Sequence, residues 1–190
     1  MIARLLQLFF VLLLQLLAAA TGEGDELEGG KVASLVFRDV DGNDLSTTAG
    51  HVTVITVITR RQEEQAQAVA DQVPDRCMGD PKYRYVTLVN FQRKLPGPLQ
   101  SLTRGIIRRR LDAEARELKP DYQARKLRRD PRKHIFVIAD FDGRAVMRLG
   151  LSPESNAIAV FVFDGMGKLI ERWIGVPPEG ALAKAIAAAE

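Results

Sequence analysis

The chain has little of the side-chain chemistry that most redox and metal sites need. Its 190 residues include one cysteine, Cys77, which excludes an intramolecular disulfide and a cysteine-rich metal site. Of the two histidines, His51 lies just before a predicted strand and His134 at the start of another. Tetrahedral zinc sites usually need four donors, or three protein donors in catalytic centres. We therefore predict no metal site and no cofactor.

The chain also has little net charge, but its charged residues are unevenly distributed. The net charge is +3, whereas residues 104–133 contain twelve Lys/Arg and five Asp/Glu, a local balance of +7. The first twenty residues add only Arg4, so the rest of the chain carries about −5. A basic segment on an acidic body predicts contact with an anionic partner. The interspersed acidic residues are equally typical of a solvated helix face, and that alternative stays open.

Long apolar runs are confined to the first twenty residues. Arg4 precedes an apolar run over residues 5–17, and small residues follow at 18–20, which is the pattern of a secretory signal peptide. We predict cleavage after residue 20, a flexible acidic leader over residues 21–30, and a periplasmic or secreted protein. An uncleaved anchor is the alternative, but a spanning helix needs about 20 apolar residues. No transmembrane span is predicted after cleavage.

Apolar and β-branched runs alternate with helix-forming segments over residues 31–190, which predicts a single α/β domain. The predicted strands cover residues 31–38, 52–59, 83–91, 134–141, 145–149, 157–163 and 169–174, with a short return strand through residue 45. The predicted helices cover residues 60–73, 99–118, 121–129 and 177–190. Pro120 is expected to separate the second and third helices. The second helix is expected to place its apolar residues on one face: Leu102, Ile106, Ile107 and Leu111.

Several motifs mark the edges of these elements. They are FRDVDGNDL at residues 37–45, the strand over residues 52–59, IFVIADFDG at 135–143 and VFVFDGMGKL at 160–169. With them, the sequence resembles the thioredoxin-like superfamily in its extracytoplasmic, peroxiredoxin-like form. The resemblance covers residues 32–189. It implies a thioredoxin-like three-layer α/β fold with a mixed central sheet, an N-terminal hairpin and a basic helical insertion over about residues 97–132.

The end of the chain is most similar to the periplasmic YtfJ type. Glu154-Ser155-Asn156 precedes an apolar strand, the turn at residues 164–167 leads to a second strand, and Pro178-Glu179 opens the last helix. The chain lacks the redox residues that the resemblance would lead one to expect. The turn at residues 60–65 has no Cys-x-x-Cys pair and no peroxidatic cysteine, and residues 154–156 do not include the family's cis-proline. Because disulfide chemistry needs a thiolate stabilised near the helix N-terminus, the family's redox residues carry over to no position here.

These patterns predict an exported, redox-inactive and non-catalytic binding or interaction module. One alternative is a monothiol disulfide-exchange or peroxidase-like protein that works through Cys77. Another is an electrostatic binder of anionic membrane or polymer through residues 104–133. Nucleic acid is not predicted, because Tyr122 is the only aromatic residue in that segment. The predicted partner is a protein or an anionic surface in the periplasm. The predicted binding residues are Arg60, Arg61, Arg104, Arg108, Arg109, Arg110, Arg128 and Arg129.

Overall fold

The structure of the chain is a computed structural model that describes residues 27, 29–92 and 94–190. The predicted signal peptide and most of the predicted acidic leader lie outside the described residues. Within the part of the chain that is described, none of the helices has the length and apolar character that a membrane crossing requires.

Seven strands and four helices follow one another along the described chain. The strands are β1 (Val36–Arg38), β2 (Asp44–Ser46), β3 (Val52–Thr59), β4 (Tyr83–Asn90), β5 (Phe136–Asp140), β6 (Ala159–Phe163) and β7 (Leu169–Ile174). The helices are α1 (Glu63–Ala70), α2 (Gly97–Ala124), α3 (Arg144–Arg148) and α4 (Ala181–Ala188). Two 3-10 turns, Asp75–Cys77 and Pro131–His134, precede β4 and β5.

The central sheet has the order β5-β4-β3-β6-β7. Strands β3, β4 and β5 are parallel, whereas β6 pairs antiparallel with both β3 and β7. β1 and β2 form a separate antiparallel hairpin. Parallel pairing requires a crossover between strands, and α1 and α2 supply the two crossovers that link β3, β4 and β5.

Strand β3 has apolar side chains on both of its faces, and each face of the sheet is covered by other elements. Val54 and Ile58 point to the face that packs with α1 and α4. Ile55 and Val57 point to the opposite face, which packs with α3 and the N-terminal hairpin. α2 lies over the β4–β5 edge, where Leu111 packs with Val137. The predicted three-layer fold is confirmed.

Residues 145–149 form no strand, and that prediction was wrong. The segment is helical as α3, because Val146 and Leu149 are both fully buried and lie three residues apart on one helical face. Asp140 Oδ2 also accepts a hydrogen bond from the Val146 backbone N–H at 2.9 Å, which holds the first turn. The Asp142-Gly143 turn suggested that the chain returns as a strand, but this carboxylate and the helical spacing of the buried pair favour a helix.

Pro120 does not end α2, which runs through it to Ala124, so the prediction of two separate helices was also wrong. Pro120 removes one N–H donor, but it and the residue four positions earlier, Arg116, are exposed, so water can bind the carbonyl left free. Beyond it, Tyr122 is buried and packs edge-on against His134 at 6.0 Å between ring centroids. That contact fixes the last turn of the helix.

The apolar residues of α2 are divided between two faces. Ile107 and Leu111 pack inward, as predicted. Leu102 and Ile106 instead point outward, with 61% and 50% of their surfaces exposed. The helix therefore presents an unburied apolar stripe near its N-terminus.

Replacement of Gly143 by alanine is expected to lower the free energy of unfolding by about 1–3 kcal/mol. Gly143 has φ +78°, a left-handed conformation, and an added Cβ would lie 2.6 Å from Pro153 Cβ. Gly105→Ala is the matched control, because Gly105 lies inside α2 with nothing within 4 Å of its added Cβ. Urea unfolding should show Gly105→Ala to be stabilising by about 1 kcal/mol. Equal effects of the two changes would contradict the argument.

Candidate functional site at the carboxyl edge of the sheet

The three parallel strands end side by side at one edge of the sheet. Thr59 at the end of β3 pairs with Asn90 at the end of β4, and Asn90 pairs with Asp140 at the end of β5. Residues 60–62 turn directly from β3 into α1 at this edge. Ligands of open α/β sheets bind outside the carboxyl ends of the strands, so this edge is the candidate site.

Three amide side chains bind the strand ends to the loop that precedes β6. Gln62 accepts from the Thr59 backbone N–H at 2.7 Å and donates to the Asn156 carbonyl at 2.5 Å. Asn90 donates to the Pro153 carbonyl at 2.7 Å and accepts from the backbone N–H of Gln92 at 2.9 Å. The Gln92 side chain donates to the carbonyl groups of residues 154 and 155 at 3.2 and 3.0 Å. We call Gln62, Asn90 and Gln92 the amide network. The sequence interpretation missed it.

Two of the predicted binding arginines meet at this edge through a pair of aromatic rings. The rings of Phe91 and Phe141 pack against each other with 4.7 Å between their centroids and an angle of 35° between their planes. The guanidinium of Arg60 lies 6.0 Å from the centroid of Phe91, and that of Arg104 lies 5.0 Å from the centroid of Phe141. Cation–π contacts of this kind each contribute about 0.5–1 kcal/mol at exposed sites. They hold both side chains beside the strand ends.

Next to these rings lies a cavity of about 360 Å³, which we call the arginine pocket. Its charged lining residues are Arg38, Arg104, Arg144, Arg148, Asp140 and Asp142. Only Arg144 among these arginines forms an ion pair within the described residues, with Asp142 at 3.2 Å. Arg148 donates to the Val36 carbonyl and stacks on Phe37, so its guanidinium is held without a carboxylate. The pocket therefore has a surplus of fixed positive charge.

Asp140 is the buried acid of the arginine pocket, with 4% of its surface exposed. Burial is the largest influence and raises the pKa of Asp140 above its ordinary value; the backbone N–H groups of Val146 and Asp142 oppose this shift, and the carboxyl of Asp142 adds to it. A raised pKa means that the folded state binds the proton more tightly than the unfolded state. Protonated Asp140 therefore stabilises the folded state at low pH. This contribution is lost as the pH rises through the pKa that Asp140 has in the folded state.

Asp140→Asn is expected to stabilise the fold at neutral pH by on the order of 1 kcal/mol. The amide has no charge to desolvate, and its oxygen can still accept from the Val146 N–H. The advantage over wild type should shrink as the pH falls, because Asp140 itself then becomes neutral. Urea unfolding across the acidic pH range checks this. Asp142→Asn, at a more exposed neighbour, should have a smaller effect, and an advantage that grows on acidification would contradict the assignment.

Some of the other predicted binding arginines contact neighbouring residues, and others do not. Arg108 donates to the Val40 carbonyl at 2.7 Å and lies 3.4 Å from Asp41. Arg110 lies 3.5 Å from Glu63, and Arg129 donates to the Gly79 carbonyl at 3.3 Å. Among the predicted binding residues, three exposed arginines form no ion pair, hydrogen bond or ring contact within the described residues: Arg61, Arg109 and Arg128.

Arg132, which was not among the predicted binding residues, bridges two carboxylates. Its guanidinium binds Asp41 at 2.6 Å and Asp112 at 2.9 Å. Burial opposes the charged form, but the hydrogen bonds to Asp112 and Asp41 outweigh it and raise the pKa of Arg132. Part of the positive charge in the segment therefore serves to hold α2 against the N-terminal hairpin.

Cys77 lies far from the carboxyl edge. It is the last residue of the 3-10 turn Asp75–Cys77, its thiol is free, and only 1% of its surface is exposed. It packs with Val52 and Tyr83, the paired first residues of β3 and β4. The eight residues of β3 span roughly 23 Å at about 3.3 Å per residue. The thiol is therefore buried near the opposite edge of the sheet. Within the described ranges, no three His, Cys, Asp or Glu side chains are placed to hold a metal ion.

Comparison with known proteins finds similarity in structure only. No protein-family model matches the chain, and no curated protein matches it in sequence. A peroxiredoxin-like protein from Aquifex aeolicus superposes with a TM-score of 0.52 and 14% identity, over 88% of this chain and 91% of that one. A candidate thiol:disulfide interchange protein DsbE from Chlorobium tepidum gives 0.51 and 14%, over 86% and 99%. The C-terminal domain of a candidate thiol-disulfide oxidoreductase from Bacteroides thetaiotaomicron gives 0.50 and 11%, over 86% and 96%. The chain has the thioredoxin-like fold.

Proposed function

We propose that the protein is an exported, non-catalytic binding module that holds an acidic segment of a partner protein in the arginine pocket. One observation carries the proposal: at the carboxyl edge, Arg104 and Arg148 line a cavity with no ion pair within the described residues. The strand-to-helix turn beside them offers the amide of Gln62 instead of a thiol. Neutral amides are not nucleophiles, but fixed guanidinium groups are good partners for carboxylates.

The size and the charge of the pocket support a carboxylate ligand. About 360 Å³ suits a few side chains rather than a broad surface. The guanidinium of Arg104 is held on Phe141, so it loses less conformational freedom when it binds. Export rests on the signal-peptide pattern, and membership of the YtfJ type rests on the order of elements after residue 154. N-terminal sequencing of the mature protein tests the predicted cleavage after residue 20.

Disulfide exchange through Cys77 is the alternative, and the names of two structural neighbours favour it. We expect no such activity, because Cys77 is buried near the opposite edge of the sheet and has no second thiol in the chain. Purified residues 21–190 and the Cys77→Ser variant should both reduce insulin and consume peroxide at the rate of buffer. Turnover that the serine variant loses would replace the binding proposal with a redox function.

Attachment to anionic membrane is a second candidate, favoured by the exposed stripe of Leu99, Leu102 and Ile106 on α2. Arg109 and Arg110 lie three and four residues after Ile106, one turn further along the same face. If this face binds lipid, vesicles that contain phosphatidylglycerol should sediment the protein at low salt and release it at high salt. Charge reversal at Arg109 and Arg110 should abolish this binding, whereas reversal at Arg104 should leave it unchanged.

A further inference from the structure

A second cavity lies between α1 and α2, on the face of the sheet opposite to the arginine pocket. Its volume is about 280 Å³, and we call it the tyrosine cavity. Thr56, Tyr85 and Thr87 of β3 and β4 line it, and all three residues are half-buried. Ala66 of α1 and Tyr122 of α2 lie on its two sides. A cavity of about 150 Å³ is already large enough for benzene, so this one has room for two fused rings.

The hydroxyl group of Tyr85 is the unexplained feature of this cavity. It is buried and has no hydrogen-bond partner among the described residues. Its polar neighbour is the thiol of Cys77, and sulfur is a weak hydrogen-bond partner. A buried hydroxyl without a partner costs stability, which a phenylalanine at this position would avoid. A ligand that carries an oxygen atom would supply the missing partner.

The other lining residues indicate a neutral ligand. Among the described residues, no lysine or arginine lines the cavity, and Asp80 is its single carboxylate. Burial is the largest influence on His134 and, with the nearby Arg129, lowers the pKa of its imidazole. The imidazole is therefore uncharged at neutral pH. An anionic ligand such as a fatty acid would find no cationic side chain among the described lining residues, whereas the apolar walls suit an aromatic or other planar ring.

We propose that the tyrosine cavity binds a small, uncharged ring compound whose oxygen atom forms a hydrogen bond with Tyr85. The site shares no lining residue with the arginine pocket, so it is a second binding function, independent of the first. The side chain of Cys77 forms part of the wall, which gives the site a single thiol as a natural reporter.

Naphthalene and 1-naphthol are suitable probes, because they differ by one hydroxyl group. Titrated calorimetrically into the purified protein, 1-naphthol should bind at one saturable site and at least about fivefold more tightly than naphthalene, as one hydrogen bond allows. Tyr85→Phe should remove that difference and leave the affinity for naphthalene within about twofold. Bound 1-naphthol should also slow the alkylation of Cys77.

Two substitutions on α1 distinguish binding inside the cavity from non-specific binding to the surface. Ala66→Phe fills the cavity and should weaken both probes by at least about tenfold. Ala68→Phe adds the same ring to the exposed side of the helix and should leave both affinities unchanged. Thermal melting confirms that each variant is folded before titration. Binding without saturation, equal affinities of the two probes for wild type, or equal effects of the two alanine replacements would overturn the proposal.

Discussion

Charge reversal of Arg104 and Arg148 together is expected to weaken the binding of an acidic peptide by about 100-fold. Each guanidinium lines the arginine pocket and has no carboxylate partner within the described residues, so each is available for the ligand. Loss of one charge-assisted hydrogen bond corresponds to roughly a tenfold change in affinity, and the new glutamates also repel the peptide. Fluorescence anisotropy with labelled hexaglutamate at low ionic strength measures the effect.

A second pair of arginines provides the matched control. Arg109 and Arg128 are exposed, have no ion pair in the described part of the chain, and lie outside the arginine pocket. Their replacement by glutamate changes the net charge by the same amount. If the pocket is the site, this control should lose no more than about threefold in affinity, and added salt should weaken wild type steeply. Equal losses in both double variants would mean that the peptide responds to net charge alone.

The parts of the fold that follow from local patterns could be predicted from the sequence. The β-branched run that forms β3 suits a strand buried on both faces, and its position in the centre of the sheet requires that burial. The glycine-containing turn between β6 and β7 likewise specifies an antiparallel pair. Where a local pattern allowed two structures, as in α3, the buried carboxylate of Asp140 decided between them, and the sequence contains no local sign of that contact.

The candidate site depends on contacts between distant parts of the chain, which the sequence does not reveal. Arg60 and Arg104 were predicted to bind separately, and the contact between the rings of Phe91 and Phe141 brings them to one edge. The family resemblance indicated where a thiol was missing, but it could not indicate what replaces it. Asn90 is an ordinary strand-end residue in the sequence, and its role depends on a loop more than sixty residues further along the chain.

Asn90→Ala is expected to lower the free energy of unfolding by about 2–4 kcal/mol. Only 3% of Asn90 is exposed, so water cannot replace its partners. The substitution would leave the Pro153 carbonyl and the Gln92 N–H without the bonds that Asn90 provides. Gln92→Ala is the control, because the Gln92 side chain bonds to the same loop from an exposed position, and its net cost should be about 1 kcal/mol or less. Urea unfolding should show a clearly larger loss in the free energy of unfolding for Asn90→Ala than for Gln92→Ala. Similar losses in the two variants would contradict a special role for the buried amide.

The same substitution should also weaken peptide binding, although Asn90 does not line the arginine pocket. Asn90 holds Pro153, and Pro153 lies against Gly143, the residue before α3. α3 carries Arg144 and Arg148, so a loosened loop should allow these guanidinium groups to move and should reduce affinity for hexaglutamate by roughly three- to tenfold. Gly105→Ala, which changes stability without touching this loop, should leave peptide affinity unchanged. A loss of stability in Asn90→Ala with fully retained affinity would show that the amide network supports the fold but does not position the arginines.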